Sequence, residues 1–202
     1  MPEADAALPA QIGDWAEACR TFVKEALGIE LDYTPETWPL LDHYVRTKAS
    51  PATDEVRGLL TPPLGAYFGE VVRRSLDADG VRWHAPPGND ALESHRLEFE
   101  AFFLCFNPIG VALEVLLADD AEGYGAHFQL LDESRPAVEA ALAESESVSA
   151  DDYYTFTMRY ETLELVVSVL LGLETKLGGQ PRRFSRDVYR AAAGEVSKGS
   201  LS

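Results

Sequence analysis

Apolar residues recur at helical spacing in several parts of the chain. The clearest stripe ends at Gly28 and predicts a first helix from about residue 10 to residue 27. Thr34 and Thr61 are each followed by a proline, an order typical of a helix start, so a second helix and a central helix are predicted from these positions. A separate short helix through Val56, Leu59 and Leu60 is expected to run into the central one. The stripe of the first helix consists of Ile12, Trp15, Ala16, Cys19, Phe22, Val23, Ala26 and Leu27.

Alternation of period two replaces the helical pattern in two short stretches. Residues 81–85 alternate after a turn that ends at Gly80, which predicts a short strand. Residues 96–106 predict a longer strand that begins half exposed and ends apolar on both faces. Asn107 and Pro108 repeat the order of a capping residue followed by proline, so a helix is expected to follow this strand directly.

A further apolar stripe lies in the C-terminal third. The predicted helix begins at Ser149 or Asp151 and ends at Gly178 and Gly179, and valines near its middle leave a strand open as the alternative.

These elements predict an α+β fold, namely a helix-rich single domain with a small antiparallel sheet. The length of 202 residues fits one domain with a core of its own. The expected division is a flexible N-terminus over residues 1–9, one α+β domain over residues 10–178 and a basic C-terminal tail over residues 179–202.

The composition is that of an ordinary globular protein, with 46% hydrophobic and 25% charged residues, so neither a disordered nor a fibrous chain is indicated. Cys19 and Cys105 are too few for a disulfide framework and lie in apolar surroundings, which favours a reducing compartment. The first residues lack the features of a secretory signal, and the longest apolar run is too short to span a membrane. A cytoplasmic protein without membrane contact is therefore expected.

Charge is the strongest global signal and is unevenly distributed. The chain has 17 basic and 34 acidic residues, a net charge of −17. Residues 176–202 hold six of the basic and two of the acidic residues, so the rest carries 11 basic against 32 acidic. Such an acidic body repels phosphate backbones and attracts basic proteins, so we expect no direct nucleic-acid binding and consider a basic partner protein. Solubility alone is the other explanation for this charge.

Residues 61–84 combine several unusual choices. Gly65 and Gly69 lack side chains and predict that another element packs closely on this helix. Glu70 beside two arginines could act as a base, but a carboxylate three and four residues before arginines more often forms an ion pair on an exposed helical face. The ion pair is the favoured interpretation. If the region binds a ligand, the candidate residues are Tyr67, Glu70, Arg74, Trp83 and His84.

Other known chemistry is not indicated. The sequence has no nucleophile elbow, phosphate-binding loop or dinucleotide fingerprint, so no catalytic residue and no cofactor are predicted. His95 is the histidine nearest to a carboxylate pair, Glu98 and Glu100, but on a strand it points away from both. No metal site is predicted.

The basic tail is a second candidate surface. Arg182, Arg183 and Arg186 could contact an anion or a partner, or dock on the acidic body of the same or another chain. A loosely held, solvated tail is the alternative, since terminal segments are commonly mobile.

The segment Gly65-Ala-Tyr-Phe-Gly-Glu70, followed by Gly80 and Trp83, resembles a group of uncharacterised bacterial proteins. In that group a Gly-Ala-Tyr-x-Gly-Glu helix runs into a Gly-x-x-Trp strand, and the likeness covers roughly residues 30–118, including Leu31-Asp-Tyr-Thr-Pro-Glu-Thr-Trp38. The resemblance implies a fold and not a reaction.

Three functions stay open from the sequence. The favoured hypothesis is a non-enzymatic interaction or regulatory protein with an acidic surface, for which a toxin-neutralising role would be suitable. The second is a small-molecule binder or enzyme with its site between the glycine-containing helix and the strand of Trp83 and His84. The third is a homodimer held together through the last helix and the tail.

Overall fold

A computed structural model describes residues 9–49, 53–84, 92–145, 148–176 and 182–193. The predicted helix end at Gly178 and Gly179 and nearly all of the predicted flexible N-terminus lie outside these residues.

Helices dominate the described residues, and a small sheet completes the fold, which confirms the helix-rich α+β class. None of the described helices combines the length and the apolar character that crossing a bilayer requires. The helices are α1 (Ala10–Leu27), α2 (Trp38–Tyr44), α3 (Asp54–Ser75), α4 (Pro108–Leu117), α5 (Arg135–Glu144), α6 (Ala150–Tyr153), α7 (Phe156–Lys176) and α8 (Arg186–Ala192).

The sheet has four antiparallel strands in the order β1 (Arg82–His84), β2 (Arg96–Glu98), β3 (Leu104–Phe106) and β4 (Gln129–Leu130). The prediction of one strand over residues 96–106 is therefore wrong. The chain folds back between β2 and β3, where the Phe99 amide donates to the Leu104 carbonyl at 3.1 Å. The stretch looked like a buried strand because the phenylalanines of the turn are themselves buried.

Helix α3 begins seven residues before the predicted start at Thr61. Thr53 caps it, because its hydroxyl accepts the Val56 amide at 3.4 Å. Thr61 lies inside the helix and donates its hydroxyl to the Arg57 carbonyl at 2.9 Å, while two prolines follow it within the helix. The prolines remove amides that would bond the carbonyls of residues 58 and 59, and both of those residues are exposed, so water can replace these bonds.

The two glycines of α3 permit a close approach, as predicted. A Cβ placed on Gly65 would lie 2.8 Å from the Pro108 carbonyl oxygen and still closer to the Ile109 Cα. A Cβ on Gly69 would lie 2.6 Å from the Cη2 atom of the Trp83 ring and still closer to the neighbouring Cζ2. Gly65 therefore sets α3 against the first turn of α4, and Gly69 admits the indole of the first strand.

Asp42 of α2 caps α7 from a distance of more than a hundred residues in the chain. Its carboxylate accepts the amides of Phe156 and Thr157 at 2.7 and 3.2 Å and the Thr157 hydroxyl at 2.5 Å. Burial raises the pKa of Asp42, although these donors oppose the rise. The first amides of α7 thus obtain their partner from another helix.

We expect the substitution Gly65→Ala to lower the free energy of unfolding by about 1–3 kcal/mol or more, because the new methyl group meets backbone that can yield only if α4 moves. Gly58→Ala in the same helix is the matched control. It places a methyl group in open space and should raise stability by about 0.5–1 kcal/mol. Urea unfolding measures both, and a neutral Gly65→Ala would contradict the close packing.

We expect Asp42→Ala to lower the free energy of unfolding by about 2 kcal/mol, because it removes the acceptors of two amides at a buried helix start. Asp42→Asn keeps one acceptor and should lose about half as much. Thermal unfolding compares them. Equal losses in the two variants would mean that side-chain volume, and not the cap, is what matters.

Candidate functional site

Three of the predicted ligand-binding residues meet at the end of α3. Glu70 is fully buried, which corrects the expectation of an exposed pair, while the pairing itself is confirmed. Its carboxylate accepts Arg73 at 2.9 and 3.1 Å and the Trp83 indole at 2.9 Å, and Arg74 lies 3.4 Å away. Two cations and one indole N–H occupy the carboxylate, which leaves it poorly placed to accept a proton from a substrate.

Tyr67 lies on the same helix but serves the loop before α2. Tyr33 in that loop has a φ of 64°, a left-handed conformation that costs a residue with a side chain about 1–2 kcal/mol. The Tyr67 hydroxyl accepts the Tyr33 amide at 3.1 Å and lies 3.0 Å from the Thr37 hydroxyl, and the two tyrosine rings stack. Arg74 covers the other side of this loop, with its guanidinium 3.7 Å from the centre of the Tyr33 ring.

His84 is on the opposite face of the sheet from Trp83. It is buried, and its Nδ1 lies 3.8 Å from a carboxylate oxygen of Glu98, which is also fully buried. Arg82 and Arg96 bind the same carboxylate at 3.3 and 3.0 Å. Burial raises the pKa of Glu98, and the two arginines oppose this rise. The five predicted residues thus divide among three environments and do not form one site.

The face of the sheet that carries His84 and Glu98 is its outer face. The segment formed by residues 182–193, which we call the C-terminal arm, covers it. Phe184 donates its amide to the Glu100 carbonyl at 2.9 Å and accepts Arg82 at 2.9 Å. The alternative of a solvated tail is wrong for these residues, and docking on the body of the same chain is what the structure shows. A small apolar cluster joins the arm to the sheet, consisting of Phe103, Cys105, Leu131, Phe184 and Tyr189.

The arginines of the arm differ in their partners. Arg182 forms a bidentate contact with Glu174, in which Nε donates to Oε2 at 3.0 Å and Nη2 donates to Oε1 at 2.5 Å. It also reaches Glu133 at 2.7 Å, and these carboxylates raise its pKa. Arg183 lies 3.4 Å from Glu100 and is mostly exposed. Arg186 is half-buried at the first position of α8. Two of the three predicted contact residues therefore bind acidic groups of the body.

A small pocket between α7 and the sheet was not predicted. It encloses about 50 Å³ and is lined by aromatic and aliphatic side chains together with Tyr153, Arg159 and His127. Arg159 is buried and pairs with the buried carboxylate of Glu114, and burial lowers the pKa of Arg159 to about 10. A charged residue within an apolar helical stripe was the signal in the sequence, since it requires a buried partner.

Glu114, Asp120 and His127 bring ligand atoms within 4.8 Å of one another beside this pocket. Such donors suit a divalent cation. Glu114, however, already pairs with Arg159, and the Asp120 carboxylate accepts the Tyr154 hydroxyl at 3.0 Å. A cation would therefore have to compete with a guanidinium for its most buried ligand.

An open apolar groove lies between the second half of α1 and the start of α3. It encloses about 430 Å³, and Phe22, Val56 and Leu59 expose 37%, 43% and 70% of their surface there. Large apolar side chains that cluster at the surface are typical of contact sites for other molecules. Glu25 is the charged residue that lines the groove.

We expect Glu70→Ala to lower the free energy of unfolding by about 2–3 kcal/mol, because the buried indole N–H of Trp83 loses its acceptor and two arginines lose their counter-ion. Asp54→Ala removes an ion pair with Arg57 in the exposed first turn of the same helix and should leave stability nearly unchanged. Chemical unfolding of both variants is the measurement. If Glu70→Ala unfolds with an unchanged free energy, the role of Glu70 is not structural, and it is again a candidate for function.

No family model, curated protein or solved structure matches the chain. The resemblance in the Gly65–Glu70 segment thus stays a prediction.

Proposed function

We propose that this chain is a non-enzymatic interaction protein that receives a basic protein partner on its acidic surface. The observation that carries the proposal is the docked C-terminal arm. The body binds this basic segment of its own chain through carboxylates on different elements, namely Glu100, Glu133 and Glu174.

Long-range charge supports the same function. With 32 acidic and 11 basic residues outside residues 176–202, the body attracts basic proteins and repels nucleic acids and acidic proteins. Complementary charge raises association rates and helps to reject wrong partners. A role in neutralising a basic toxin or regulator would use these properties directly.

A small-molecule binder is the second candidate, and the pocket beside Arg159 is the observation in its favour. Phe68 of the glycine-containing helix lines it, so it touches the region where a ligand site was predicted. Its volume of about 50 Å³ has room for a few water molecules, whereas ligand pockets usually enclose about 300–1,000 Å³. The size of this pocket favours the interaction protein.

The decisive experiment is affinity capture with the full chain as bait, using lysate of the source organism at low and at high salt. We expect a basic protein to be retained at low salt and to be released at high salt, because salt screens attraction between exposed charges. An unrelated protein of similar size and net charge on parallel beads shows what any acidic surface would capture.

Mass spectrometry of the two eluates gives the answer. A basic protein enriched on this chain over the acidic control supports the proposal. Identical eluates from the two baits would overturn it. Leu59→Ser, which changes the most exposed apolar side chain of the groove, then tests whether the captured protein also uses that surface.

A further inference from the structure

The C-terminal arm is held by one specific anchor, the side chain of Tyr189. Its ring stacks on Phe103 with the ring centres 4.7 Å apart, and the residue is 1% exposed. Its hydroxyl donates to the Phe99 carbonyl at 2.6 Å and accepts the Leu104 amide at 3.1 Å. The turn between β2 and β3 therefore forms a socket that recognises both the ring and the hydroxyl of a tyrosine.

The other contacts of the arm differ in kind. Phe184 makes two hydrogen bonds through its backbone, and its ring meets Phe103. Arg182 binds Glu174, whose side chain is 15% exposed, whereas its pair with Glu133 and the pair of Arg183 with Glu100 are exposed, contribute little stability and are screened by salt. Val188 beside the anchor is 40% exposed, so a single face of α8 touches the body. A helix of seven residues is not stable by itself in water, so α8 depends on this docking.

The socket and the acidic groups around it belong to the body, not to the arm. Glu98 is held by Arg82 and Arg96, which belong to the sheet itself. Glu133 and Glu174 lie outside the sheet, and both bind Arg182 of the arm. The body thus carries a surface that fits a segment with an arginine at one end and a tyrosine seven residues later.

We infer that this outer face of the sheet is a binding site for a basic, tyrosine-containing segment of the partner protein, and that the arm occupies it as an intramolecular competitor. The inference rests on the proposed function and names both the recognition site and its regulation. A partner segment gains access when the arm leaves, so the arm sets a threshold for binding.

The size of this threshold follows from the fraction of molecules in which the arm is released. The apparent dissociation constant of a competing segment rises in inverse proportion to that fraction. A tethered segment also acts at an effective concentration of roughly millimolar. A free segment of equal intrinsic affinity therefore binds the intact chain weakly and binds a released variant at least roughly tenfold more tightly.

The experiment measures binding of a fluorescent peptide with the sequence of residues 182–193 to the full chain by anisotropy. We expect weak binding to the original protein and roughly tenfold or greater affinity for Tyr189→Ala, in which the arm has lost its anchor. Val188→Ala, beside the anchor and outside the socket, is the matched control and should bind as the original protein does. A peptide with alanine in place of its tyrosine should not bind.

Circular dichroism and thermal unfolding verify that the variants are folded. If Tyr189→Ala does not fold, Tyr189→Phe replaces it, because this variant keeps the ring stack and loses only the hydrogen bonds of the hydroxyl. A gain of a few fold in the affinity for the peptide then supports the inference. Equal affinity of the original protein and the folded variant overturns it, and so does a folded variant that does not bind the peptide.

Capture with Tyr189→Ala as bait separates this inference from the proposed function. A basic partner that is enriched equally by the original chain and by the variant supports the proposed function and overturns the assignment of the site. Peptide binding that strengthens in the variant without any captured basic partner supports the site and overturns the function. More partner on the variant than on the original chain supports both.

Discussion

The position of the sheet on the helices depends on how closely α3 approaches its neighbours at two glycines. Gly65 lets the first turn of α4 lie against the backbone of α3, and Gly69 makes room for the indole of Trp83. Glu70 then holds this indole through its carboxylate, so one helical turn fixes both the next helix and the first strand. Packing and hydrogen bonding support each other here, because a buried carboxylate needs donors and the indole supplies one that also fills space.

The two faces of β1 consequently have different roles. On one face Trp83 contacts the helices. On the other face Arg82 and His84 lie against Glu98 and under the C-terminal arm. Buried charges on the outer face would be unfavourable without partners, and the arginines of β1 and β2 provide them. The residue types expected at an active site are present, but Glu70 and Glu98 are each bound by arginines, and the outer face of the sheet is covered by the arm.

Much of the fold could be predicted from local patterns, and the misses have physical causes. The Asn107 cap and the glycine contacts were predictable because capping and lack of a side chain act over a few residues. Helix α3 was predicted too short because Thr61 and its prolines look like a helix start, while exposure of the preceding turns lets the helix continue. The burial of Glu70 and the anchor of Tyr189 arise from partners 13 and 90 residues away, and no local spacing encodes those contacts.

The anchor of the arm has a consequence for synthesis on the ribosome. Phe99, in the turn between β2 and β3, is synthesised 90 residues before Tyr189, and synthesis proceeds from the N-terminus at about 5–20 residues per second. During that interval the Phe99 carbonyl and the Leu104 amide lack the partner that they have in the finished protein, and Phe103 lacks its aromatic cover. The turn therefore stays without its tyrosine until α8 has been synthesised, so this face of the sheet is covered later than the face that packs on the helices.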